Sequence, residues 1–173
     1  MDRFLAGIEQ RAFRMAQIAT GSREDALDIV QDAMFKLVEK YASRDESEWG
    51  PLFHRILQSR INDWYRRNAV RKRFRIWFGM GSNDDVTDPI HTFADIQQRS
   101  PEQQLQSERR IDKLEEALYE LPVRQQQAFL LRIWQGLDVR QTARAMSCSQ
   151  GSVKTHYSRA LQTLRRRLGD HWS

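Results

Sequence analysis

From Ala26 onward, apolar side chains return at Ile29, Val30, Ala33, Met34, Leu37, Val38 and Tyr41. These offsets of 3, 4, 7, 8, 11, 12 and 15 keep one helix face apolar for more than four turns. A strand would scatter the same residues over both of its faces, so this segment has to be an amphipathic helix. Ser22, with Asp25 three residues on, is an acidic form of the capping box and starts it. Phe4, Ile8, Ala12, Met15 and Ile18 predict a helix before it. After a polar stretch at 42–48, Pro51 suits the first turn of a third helix. Leu52, Phe53, Ile56, Leu57, Ile61, Trp64 and Tyr65 form its face, and Arg66, Arg67, Arg71, Lys72, Arg73 and Arg75 its basic end.

The helical period lapses over residues 79–104, which hold two glycines, two prolines and a surplus of acids, and returns afterwards. Leu114, Ala117, Leu118 and Leu121 form a stripe that stops at Pro122, which opens a helix carrying Phe129, Leu130, Ile133 and Trp134. Gly136 is a natural stop for that helix. A short helix with Val139, Ala143 and Met146 follows, then the turn Ser147-Cys148-Ser149. Ser149 is placed to cap a last helix whose face reads Val153, Tyr157, Ala160, Leu161, Leu164 and Leu168. No strand signal competes. The expected fold is all-α, with two small helical domains at 1–78 and 105–173 joined by a flexible acidic linker at 79–104.

Charge follows the same division. Residues 1–79 have fifteen Lys/Arg against eleven Asp/Glu, residues 80–104 one against five, and residues 105–173 twelve against seven. Two basic modules flank an acidic segment, and basic modules attract polyanions, nucleic acid foremost. No run of eighteen apolar residues predicts membrane insertion, and the N-terminus lacks the apolar block of a secretory signal. The single cysteine, Cys148, agrees with a reducing cytosol. Catalysis finds no support: His54, His91, His156 and His171 are far apart in sequence, and no metal spacing, Walker loop or dinucleotide glycine loop occurs. The chain is expected to be no enzyme and to use no cofactor or metal, with His54 and His156 at the surface or in a groove.

A short helix, a three-residue turn and a longer capped helix are the layout of a helix-turn-helix. Ala143 is small where the two helices cross, and Met146 and Val153 fill the wedge. The second helix then presents Gln150, Ser152, Lys154, Thr155, His156, Ser158 and Arg159, which include groups suited to base edges and phosphates. Spacing alone fits an ordinary helical hairpin as well.

The run Leu121-Pro122-Val123-Arg124-Gln125-Gln126-Gln127-Ala128-Phe129-Leu130-Leu131-Arg132 resembles the segment opening region 4 of extracytoplasmic-function (ECF, group IV) sigma factors. Gly136-Leu137, Gln150–Thr155 and Ser158–Leu161 follow at that family's spacing. The resemblance implies that the last helix reads the −35 promoter element. Ser147 stands where the family often has glycine, and in a left-handed conformation it would cost roughly 1 kcal/mol.

Residues 25–37 resemble the family's region 2.2, which implies that Asp28, Gln31, Asp32 and Phe35 grip the clamp helices of the polymerase's largest subunit; taken alone, the helix would read as a solvated acidic face. Residues 53–67 resemble the promoter-melting part of region 2. That implies a −10 set of Arg44, Trp49, Ser59, Arg60, Asp63, Arg66 and Arg67, since melting needs groups that hold an unstacked base and cations along the strand. Trp64 and Tyr65 read first as packing residues. Ser59 departs from the family's usual asparagine, and the helix before Ser22 is shorter than the family's usual start. By resemblance the partners are core RNA polymerase (clamp helices and flap region), promoter DNA and an anti-sigma factor, the location is the cytoplasm, and the acidic linker threads a basic channel or serves as a spacer. The rival reading is a stand-alone helix-turn-helix regulator that binds operator DNA without acting as a polymerase subunit.

Overall fold

The computed structural model describes residues 1–77 and 111–169, with side chains for 1–69 and 111–169. The expected linker at 79–104 and the basic run at Arg71–Arg75 lie outside these, apart from the helical backbone at 71–77. Every described element is helical: α1 (Asp2–Thr20), α2 (Arg23–Tyr41), α3 (Glu46–Trp77), α4 (residues 111–119), α5 (Val123–Phe129), α6 (Val139–Met146) and α7 (Gln150–Leu168).

The α1–α2 corner is set by Gly21, at φ 67°, which ends α1 by donating its N–H to the Gln17 carbonyl at 2.8 Å. A Cβ there would stand 2.8 Å from the Tyr119 ring of α4, so glycine meets both a backbone and a packing requirement. Ser22 caps α2 as expected, its Oγ accepting the Asp25 N–H at 3.2 Å. α3 starts five residues earlier than Pro51 predicts. Asp45 accepts the Ser47 N–H at 2.9 Å and its hydroxyl at 2.6 Å, and Glu46 and Glu48 supply first-turn acids. Pro51 therefore sits inside the helix, where its missing N–H removes one bond close to the start.

A core of Ala12, Met15, Ile18, Ile29, Val30, Ala33, Leu37, Phe53, Leu57 and Ile61 joins α1, α2 and α3. Tyr65 and Trp64 stack edge to face at 5.1 Å between centroids, in keeping with packing roles. The C-terminal helices bury Leu118, Leu121, Ala128, Leu130, Leu131, Met146, Val153, Ala160 and Leu164.

The two helical groups pack on each other, and the end of α1 is the junction. A helix leaves its last carbonyls without partners. Here Ile18 O accepts from Gln126 Nε2 at 3.3 Å and Ala19 O from the Tyr65 hydroxyl at 2.5 Å. Gln127 bonds Asn62 at 2.9 Å, Arg14 pairs with Glu115, and α6 packs against α3. Gln126 and Gln127 thus join segments 108 and 65 residues apart in the chain.

Two expectations need correction. After α5 the chain makes one π turn, Leu130–Trp134, with Gln135 N–H donating to Leu130 O at 3.1 Å. This i→i+5 bonding widens the turn and breaks the 3.6-residue period. Ile133 and Trp134, expected on the apolar face, stand 58% and 37% exposed instead. His54, expected at the surface or in a groove, is only 4% exposed. α3 is covered by α1, α2 and α6 together, so it buries more than one stripe.

Gly136 ends the π turn at φ 66°, as the sequence predicts. Ser147 adopts φ 51°, ψ 50°, the left-handed conformation foreseen for it. Ser147→Gly is expected to stabilise the protein by about 1 kcal/mol by relieving this conformation. Urea unfolding with an unchanged m-value and a higher midpoint is the measurement.

Candidate nucleic-acid interface

The C-terminal site is built on caps. Asp138 Oδ1 accepts the Gln141 N–H at 2.7 Å while Gln141 Oε1 accepts the Asp138 N–H at 2.8 Å, so a full capping box opens α6. The sequence reading missed it, although the Asp-x-x-Gln spacing was there to be read. Ser147 and Cys148 close α6 through N–H bonds to Arg144 O at 3.3 Å and Ala143 O at 3.0 Å. Ser149 then opens α7, its Oγ accepting the Ser152 N–H at 3.0 Å. Ala143, Met146 and Val153 are buried in the angle between the helices. These restraints fix how the first turns of α7 are presented.

Gln150, Lys154, Thr155, Ser158 and Arg159 are exposed on that presentation, and Ser152 is half-buried. Two of these hydroxyls already have local partners: Ser152 shares a 2.9 Å bond with Ser149, and Thr155 donates to Gly151 O at 3.1 Å. Gln150, Lys154 and Arg159 therefore carry most of the free donor capacity. Tyr157 is committed to packing, stacked on Phe129 at 6.4 Å and under the Arg132 guanidinium at 5.8 Å. His156 is held below its ordinary pKa by burial and by Arg124 and Arg159. Arg140 and Arg144 were not foreseen. They line a shallow depression of about 490 Å³ with Ser147, Ser149 and Gln150, beside the start of α7.

On the N-terminal side, α2 turns Ala26, Ile29, Val30, Ala33 and Leu37 inward. Asp28, Gln31, Asp32 and Phe35 face outward together, with Phe35 73% exposed. Leu27 and Val38, both exposed, flank them, so a small apolar patch lies among acids. Leu27 was missed; it lies off the buried stripe, which is itself the signal that could have found it.

Ser59, Asp63, Arg66 and Arg67 share one face of α3, with Arg60 at its edge. Asp63 is engaged by Arg66 at 2.5 Å, and Arg60 reaches Asp32 of α2 at 4.0 Å, so the two N-terminal sets adjoin. Arg44 and Trp49 are not brought to this face. Trp49 sits in the first turn of α3, roughly 15 Å along the axis from Ser59, and Arg44 lies farther away, in the turn before the helix. Arg44 is exposed and pairs with Glu48 at 3.8 Å. Trp49 is a buried packing residue: its ring meets Phe4 at 5.9 Å and its Nε1 donates to Tyr41 O at 3.1 Å. Its ring is spent on the bundle, which corrects the expectation of a free aromatic surface there.

Among the described residues no group of three or more His, Cys, Asp or Glu side chains is placed to hold a metal ion. No described helix is long and apolar enough to cross a membrane.

Known proteins resemble this arrangement. The chain is 28% identical over 163 residues to the ECF RNA polymerase sigma factor BldN of Streptomyces coelicolor, covering 91% of this chain and 56% of that protein. It is 29% identical over 157 residues to the ECF RNA polymerase sigma factor SigM of Mycobacterium tuberculosis, covering 90% of this chain and 70% of that one. The chain thus spans little more than half the length of BldN. The fold is similar to that of the sigma factor RpoE in a complex with the anti-sigma factor NepR from Bartonella quintana. That match has a TM-score of 0.68 at 21% identity and covers 98% of this chain and 99% of the other. Residues 111–164, which hold α4 through most of α7, match the family Sigma-70, region 4.

Proposed function

We propose that this chain is an ECF, group IV sigma factor, which brings core RNA polymerase to promoters and takes part in initiation by binding rather than by catalysis. In this reading residues 1–78 bind polymerase and open the −10 element, 79–104 form a tether, and 105–173 read the −35 element. The observation that carries it is the pairing of an exposed acidic-aromatic face on α2 with a capped helix-turn-helix matched to region 4. Asp28, Gln31, Asp32 and Phe35 would meet the clamp helices, Ser59, Arg60, Asp63, Arg66 and Arg67 the opened −10 strand, with Arg44 at its margin. Gln150, Ser152, Lys154, Thr155, Ser158 and Arg159 would face the −35 duplex. Tethering raises the local concentration of the second reader once the first has engaged. The flap region of polymerase and an anti-sigma factor complete the partners, and the place of action is the cytoplasm.

The test is run-off transcription with purified bacterial core polymerase and genomic DNA fragments, expected to give discrete, site-selected transcripts. Phe35→Ala should weaken core binding about 30-fold, the loss of a central aromatic anchor, without lowering stability. Asp32→Arg should abolish measurable binding through charge reversal. A stand-alone regulator would bind operator DNA without core enzyme, and both substitutions would leave that binding intact.

A further inference from the structure

Helix α7 runs for 19 residues. At 1.5 Å per residue it is about 28 Å long, more than twice the roughly 12 Å width of a DNA major groove. A helix-turn-helix reader enters the groove by its N-terminal turns. The last two turns of α7 must then lie beyond the bases, over the phosphate backbone at the groove's edge.

Those turns are furnished for that position. Val153, Ala160, Leu164 and Leu168 turn to the core. On the opposite side Thr155, Arg159, Gln162 and Arg166 follow one another at steps of four, three and four, all exposed. The neighbouring row, Lys154, Ser158 and Arg165, is also exposed. The first row of the candidate reading face therefore continues unbroken through Gln162 to Arg166, and Arg165 lies beside it past the half-buried Leu161. Arg167 is directed elsewhere, into an ion pair with Glu120 beside α4, and the buried Leu168 fixes the roll of the helix end. Among the described residues no ion pair is formed by Arg165 or Arg166. The helix dipole favours cations in a last turn but does not choose a face for them. The packing does, and it turns these two toward the side that reads.

Resting on the reading of α7 as a DNA helix, we propose that Arg165 and Arg166, with Gln162 beside them, form a sequence-independent anchor for duplex DNA phosphates. Guanidinium groups bind phosphate oxygens through short, charge-assisted hydrogen bonds. The anchor sets how deeply α7 sits in the groove without choosing among bases.

The experiment uses the full chain and a labelled 30-base-pair duplex of mixed sequence, titrated between 50 and 200 mM NaCl. Each phosphate contact contributes about 0.9 to the slope of log K against log salt, so Arg165→Gln/Arg166→Gln should flatten it by about 1.8. Affinity at the low-salt end should fall about 10-fold. Arg165→Lys/Arg166→Lys should keep most of the slope, because phosphate accepts a point charge. Arg3→Gln/Arg11→Gln on α1 removes the same net charge and should leave the slope unchanged, with melting curves verifying the fold of each variant. An unchanged slope in the Arg165/Arg166 glutamine variant overturns the proposal, as does an equal loss in the α1 control or absence of duplex binding by the wild type. Loss of core polymerase binding with duplex binding intact would assign the surface to a protein and overturn it too. Lys154→Ala separates the underlying reading: if it leaves duplex affinity untouched while the Arg165/Arg166 variant lowers it, the groove assignment fails and the anchor stands.

Discussion

Phe53→Ala is expected to remove about 3–5 kcal/mol of stability, the usual range for emptying a buried aromatic site. Phe53 is fully buried on α3's inner face, edge-on to Phe4 at 6.5 Å and to His54 at 5.7 Å. Its neighbours come from different helices, so no single side chain can move in to fill the space. Against a typical total of about 5–15 kcal/mol, a fifth or more of the stability goes with one ring. The urea midpoint should fall sharply with m little changed, and the melting temperature should drop by about 10 °C. Phe53→Leu, which retains most of the volume, should cost only about 1 kcal/mol. A Phe53→Ala protein unfolding within 1 kcal/mol of the wild type would mean that α3 is not the spine of the bundle. Phe35→Ala is the natural contrast: the same atoms are removed from an exposed site, so stability holds and only partner binding should change.

That contrast was legible in the sequence, because Phe53 falls on a 3.6-residue apolar stripe and Phe35 falls off one. Features governed by neighbouring residues were legible in the same way. Ser22 and Ser149 cap the helices assigned to them, Gly136 takes a positive φ, and Ser147 is left-handed where the family pattern leads one to expect glycine. Each depends on backbone groups within three or four residues, so local chemistry settles it.

The misreadings come from contacts that no local pattern encodes. Trp49 could be a base-holding surface only if Phe4 and the Tyr41 carbonyl did not claim it. Ile133 and Trp134 keep the helical spacing of core residues, but a single π turn rotates them outward. Gln126 and Gln127 read as polar motif positions and turn out to be buried, satisfying α1's last turn and Asn62. Of the candidate sites, the outward faces of α2 and of the start of α7 were legible because their residues lie off a regular apolar stripe. The −10 set was only partly visible. Its members come from a turn and a long helix, and which of them share a face depends on where α3 begins.

His54 shows most sharply what tertiary burial adds, and it gives the second large expectation: the protein should lose stability on mild acidification because of this one side chain. Its imidazole is 4% exposed and Nδ1 has no hydrogen-bond partner among the described residues. Burial pushes its pKa down from 6.5 to about 4. In the unfolded chain the ring takes up a proton near pH 6.5, whereas in the fold it stays neutral until about pH 4. Its contribution is therefore fully present above pH 6.5 and declines as pH falls toward 4, by about 3 kcal/mol in all at 1.36 kcal/mol per unit. Glu115 works in the opposite sense: burial, ahead of the opposing effect of Arg14, raises its carboxyl pKa, so protonation on acidification favours the fold. The His54 effect thus has to be read by difference. Urea unfolding of the wild type and of His54→Leu at pH 7 and pH 4.5 should show the wild type losing about 2–3 kcal/mol more than the variant over that interval. Parallel losses in the two proteins would mean that the ring takes up its proton in the fold as readily as in the unfolded chain, and that below pH 6.5 α3 carries a charge at the place where α1, α2 and α6 cover it.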